Sequence, residues 1–115
     1  MSAKKNIIVN LQVEGTHNWP GCAFDEVAFL SDPHRHVFHI TVKKEVFHDN
    51  RDIEIIMFKR EIEAWIKDRY GMYGNFQNKS CEMLAEEILE QFEARYVSVL
   101  EDGENGAEAF KYWKP

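Results

Sequence analysis

The residues best able to do chemistry are the histidines: His17, His34, His36, His39 and His48. His34 and His36 form a His-x-His pair. In an extended chain, residues two apart share a face and lie about 6–7 Å from each other along the backbone, so both imidazoles can converge on one ion. His17 follows a run of alternating residues, and in an antiparallel hairpin the end of one strand lies beside the start of the next. It can therefore complete a set of three. Three neutral ring nitrogens with an open fourth position is the arrangement of a catalytic zinc rather than a structural one. Spacing alone also allows the plainer reading, three half-exposed strand histidines near acidic loops. His39 falls on the opposite face and His48 in a polar turn, and both read as ordinary surface histidines. Glu101, read alone, is a solvated acid at a strand end. Two cysteines, Cys22 and Cys81, are too few for a disulfide framework.

These side chains need elements to hold them. Ile7, Val9, Leu11 and Val13 alternate with Ile8, Asn10, Gln12 and Glu14, the pattern of a strand with one buried face, and Gly15 reads as its end. Residues 16–33 carry two prolines and a glycine and read as a long loop, with a short helical turn at Asp25–Leu30. A second strand is expected from about His36 to Phe47, broken by the polar run His48–Asp52. Apolar residues Ile55, Phe58, Ile62, Trp65 and Ile66 predict a helix over 53–69. A loop, YGMYGNFQN, leads to a second helix capped by Ser80, with Glu82 in its first turn and Leu84, Ala85, Ile88, Leu89 and Phe92 inward. Tyr96–Leu100 reads as a third strand, EDGENG as a turn, and about Glu108–Trp113 as a short last strand. The order ββααββ favours an α+β fold, a four-stranded antiparallel sheet with two helices on one face.

Composition bounds the function. The 115 residues are expected to form one domain, 1–115, with a formal charge of −6. From Glu82 to Glu108 nine acidic residues face one basic residue, Arg95, which argues against gripping nucleic acid. No stretch approaches the about 18 apolar residues of a membrane span, and the N-terminus does not read as a secretory signal. A cytoplasmic protein is expected. Fifteen aromatic residues in so short a chain suggest that a neighbouring subunit covers the second sheet face.

In combination the motifs are more specific. EGTHNWPG, a long loop, HRHVFHITV, a helix, NKSCEMLAEEILEQF and VSVLEDGENGAEAF follow one another over about residues 7–113. Together they resemble the 6-pyruvoyltetrahydropterin and 6-carboxytetrahydropterin synthase family of the tunnelling fold. The resemblance implies that His17, His34 and His36 hold Zn2+ and that Glu101 anchors a pterin ring, a carboxylate accepting two hydrogen bonds from an amino-pyrimidinone edge. It implies a lyase in which zinc polarises substrate oxygens while a cysteine thiolate moves protons. It also implies subunits joined into a barrel, as a homotrimer or homohexamer.

The departures bear on catalysis. The family's cysteine position is Leu30, followed by Ser31, and no histidine occurs in KDRYGMYGNFQN, where the family's Asp-His should fall. Met57 replaces the acid before Phe58, and Arg35 replaces the glycine between the paired histidines. Cys22, twelve residues before His34, is the candidate replacement thiol if the loop folds it back; Asp25, Asp32 and His39 are further candidate proton carriers. The expectation is a zinc-binding protein that acts on or binds a pterin-like or purine-derived metabolite. The alternative is a non-catalytic ligand-binding or oligomeric structural protein on the same scaffold.

Overall fold

The computed structural model describes residues 3–111. Four strands, β1 (Lys5–His17), β2 (His34–Val46), β3 (Tyr96–Glu101) and β4 (Asn105–Phe110), form one antiparallel sheet in the order β1-β2-β3-β4. A short 3-10 helix (Asp25–Ser31) lies between β1 and β2, and α1 (Ile55–Tyr70) and α2 (Cys81–Gln91) lie between β2 and β3. The α+β class, the antiparallel sheet and the element order agree with the sequence pattern. Among the described residues no helix is long and apolar enough to cross a membrane.

Both helices share one core with one sheet face. Val9 and Leu11 of β1, Phe38, Ile40 and Val42 of β2, and Val97 and Val99 of β3 are buried against Phe58, Ile62 and Ile66 of α1 and Leu84, Ala85, Ile88 and Leu89 of α2. The helical stripes recur every three to four residues, as one buried helix face requires. Ile55, expected in that stripe, is 52% exposed at the start of α1. Ser80 caps α2 by accepting the Met83 N–H at 3.1 Å, and Glu54 caps α1 by accepting from Ile56 at 2.5 Å.

Element ends shift from the sequence pattern by a few residues, and three of the shifts bear on the site. Gly15 does not end β1; the strand runs through it to His17. A Cβ at Gly15 would lie 2.4 Å from the Phe76 ring, so glycine serves close packing there. β2 begins at His34, which places both paired histidines inside the sheet. β4 starts at Asn105, because only Asp102–Glu104 are needed for the turn. Glu104 N–H closes it onto Glu101 O at 3.0 Å, with Asp102 and Gly103 at positive φ. The strand expected from Glu108 to Trp113 lies partly outside the described residues.

Candidate metal centre

Register brings the histidines together. β1 and β2 pair so that His17 lies opposite His34 and Gly15 opposite His36. Residues at even steps share a face, so His17, His34 and His36 lie on the core side, at the end of the β1–β2 ladder. β2 and β3 pair with Phe38 opposite Glu101, which places Glu101 on that side too, beside His36. One donor atom from each of His17, His34, His36 and Glu101 lies within 4.8 Å of the others, a group that can hold a metal ion. Arg35 points the other way and pairs with Glu14.

The ring hydrogens are already assigned by their partners. His17 Nδ1 donates to Lys79 O at 2.8 Å, His34 Nδ1 to Asp32 O at 2.9 Å, and His36 Nδ1 to an Asp102 carboxylate oxygen at 2.8 Å. A carbonyl or carboxylate oxygen can only accept, so in each neutral ring the proton sits on Nδ1 and Nε2 keeps its lone pair. His17 Nε2 and His36 Nε2 are buried without a hydrogen-bond partner. Glu101 Oε2 nevertheless lies 2.9 Å from His17 Nε2, and Oε1 lies 3.6 Å from His36 Nε2. Acceptors facing acceptors at such distances repel unless a cation or proton lies among them. A proton relieves one of these contacts, whereas a metal ion satisfies all four donors at once. A tetrahedral zinc with bonds of about 2.0–2.1 Å spaces its ligand atoms about 3.3 Å apart, between the two separations seen here.

The group opens on a cleft of about 370 Å³, walled by Trp19, Leu30, Cys81 and Met83. Leu30 thus stands at the cleft, at the position where the family resemblance expects a cysteine. Cys22 does not line it: its thiol donates to Val27 O at 3.5 Å and Phe24 O at 3.7 Å within the loop. The thiol that does reach the cleft is Cys81, at the start of α2, with Sγ 3.8 Å from Glu101 Oε2. Burial pushes the Cys81 thiol up to about 12, and the charges of Glu101 and Glu82 add to the rise. Asp102 is held below its usual range by the Val37 N–H and then by His36. Met72 and Tyr73, in the loop where the family's Asp-His was expected, are exposed. Asp25 and Asp32 flank the cleft loop without lining the cleft, and His39 lies on the far face against Gly103.

Sequence reasoning passed over Cys81 and Asp102. Asp-Gly directly after a strand signals a tight turn, and a β2–β3 register would have put that turn beside His36. Cys81 carried no sequence signal, because its place depends on where α2 begins in space.

Behind the centre a second polar group fixes the loop that carries Lys79. Glu87 accepts hydrogen bonds from Tyr70 Oη, from Arg69 Nε at 2.6 Å and from Lys79 Nζ at 3.0 Å. Burial raises the Glu87 carboxyl, but these three donors outweigh it and the net shift is downward. Lys79 is thereby tied to α2 while its carbonyl receives the His17 proton. No family model matches the chain, and no curated protein matches it.

Proposed function

We propose that this chain binds one zinc ion through His17, His34 and His36, with Glu101 as the fourth donor, and uses the centre to hold a pterin-like or purine-derived metabolite in the adjoining cleft. The observation that carries the reading is the fixing of all three Nδ1 hydrogens, which turns three imidazole lone pairs and one carboxylate onto a common point. Imidazole donors suit zinc, copper, iron and nickel, and three histidines with one carboxylate form a four-donor set of the kind that tetrahedral zinc takes. When bound, such an ion supplies Lewis-acid polarisation of a ligand oxygen. Glu101 serves the centre when the cleft is empty and turns to the amino-pyrimidinone edge when a ring docks. Trp19 and Leu30 supply the apolar wall against which a flat ring packs.

On this reading the scaffold is a tunnelling-fold relative of the tetrahydropterin synthases that lacks their proton relay. Leu30 cannot move a proton, Cys22 is turned into its own loop, and Cys81 is a neutral thiol. General acid–base steps each contribute about 10²- to 10⁴-fold, so a protein without the relay binds its ligand and turns it over weakly or not at all.

The test is metal quantification on the purified protein and on His17→Ala and His36→Ala, each checked for folding by circular dichroism. One zinc per wild-type chain, lost in both variants, is the expected result. Unchanged stoichiometry in both folded variants would show that the ligands are elsewhere. Incubation of the zinc-loaded protein with dihydroneopterin triphosphate, followed by mass spectrometry, then separates binding from turnover. Rapid conversion lost in Cys22→Ala would restore that thiol to the site.

A further inference from the structure

At Nδ1, only His36 among the three histidines is held by a side chain; His17 and His34 rest there on backbone carbonyls. The holder, Asp102, uses both oxygens. One accepts His36 Nδ1–H at 2.8 Å and the other accepts Val37 N–H at 3.0 Å. Its own N–H donates to Val37 O at 2.8 Å, so the β3–β4 turn is clipped onto β2 next to the metal ligand. Its φ of 56° lies in the left-handed region, which Asp and Asn tolerate better than most residues.

We propose that Asp102 is a positioning residue that selects the Nδ1–H tautomer of His36 and so aims its Nε2 at His17, His34 and Glu101. Its purpose rests on the metal-centre reading; its geometry does not. Both partners of the carboxylate are donors, and a carboxylate accepts from both. An amide cannot. In Asp102→Asn the fixed Val37 N–H claims the amide oxygen, which leaves the NH2 group facing His36 Nδ1. That nitrogen can accept only if the ring proton moves to Nε2, where it blocks the metal. Asp102→Gly keeps the left-handed turn and removes both hydrogen bonds, leaving the tautomer undirected. Losing the outer partner of a metal histidine typically weakens metal binding about 10–100-fold.

The experiment has two readouts. Ring-nitrogen NMR on metal-free protein, at a pH where imidazole is neutral, should show His36 with its hydrogen on Nδ1 in the wild type and on Nε2 in Asp102→Asn. Zinc affinity by chelator competition should fall about 10–100-fold in both variants, with Asn at least as weak as Gly. A wild-type tautomer in Asp102→Asn overturns the proposal. It does so even if zinc affinity falls, because a loosened turn alone would produce that loss. Full zinc retention in His36→Ala would instead sink the metal-centre reading, and the tautomer measurement would still decide the role of Asp102.

Discussion

Thiol reactivity follows thiolate fraction and access, and the two cysteines differ in both. Cys81 is 6% exposed and its thiol is pushed up to about 12, by burial first and then by the carboxylates of Glu101 and Glu82. Cys22 is partly exposed in its loop. A thiol-alkylating reagent applied to native, metal-free protein should therefore modify Cys22 and spare Cys81, as read by peptide mass mapping. Equal labelling would mean that α2 does not bury its first residue. At this scale the histidines were the legible part, because period-two alternation carries side-chain direction and a hairpin juxtaposes its ends. Glu101 was singled out through the family resemblance, as a ring anchor. Its approach to two imidazoles could not be read from spacing, since it depends on how β3 registers against β2.

Elements are held in place by contacts that a pattern of apolar residues does not announce. Glu87 joins the end of α1, the Lys79 loop and α2 through three donors. Its carboxyl is depressed, so the stability it contributes is fully present above the ordinary glutamate range and is lost as pH falls through the lowered folded value. Glu87→Gln should cost about 1.5–3 kcal/mol at neutral pH in denaturant unfolding, the range for hydrogen bonds involving a charge. It should also flatten the acid limb of the stability profile; a variant as acid-sensitive as wild type would refute this. Gly15 makes the same point about packing. It reads as a strand terminator, yet it lies within β1 because Phe76 occupies the space above it. Gly15→Ala should destabilise by about 1–3 kcal/mol through overpacking, measured as a lower Tm. The helices and strands themselves were legible in type and order. Their ends shifted by a few residues where long-range pairing, rather than local turn residues, decided the boundary, as at His34 and Asn105.

Among the described residues one sheet face and two sheet edges lack helical cover, and their chemistry bears on what can lie against them. Phe38, Phe58, Phe76 and Phe92 are buried in the core, and Trp19, Phe24, Phe29 and Phe47 are exposed outside the sheet. The uncovered face is instead largely polar and paired with itself. Thr41 donates to Asn10 at 2.6 Å, Tyr96 donates to Glu108 at 2.7 Å, and the Lys43 ammonium lies 4.4 Å from the centre of the Tyr96 ring. Such a face can meet water, and Ile8 and Phe110 are its exposed apolar members. The edges pose the sharper problem. Apart from a short contact of Thr16 with Gly74 and Phe76, the long β1 edge has no further strand beside it among the described residues, and β4 closes the sheet on the other side. Exposed strand edges pair with other chains unless blocked. Edge-to-edge closure of several copies would satisfy both edges and turn the polar faces inward around a water-filled channel, the barrel that the family resemblance implies. The expected species in solution is therefore a trimer or hexamer of the 13.6 kDa chain, measured by light scattering coupled to size exclusion at micromolar concentration. A monomer under those conditions would show that the edges are left open, and would remove the barrel without touching the candidate metal centre, whose four donor residues all come from one chain.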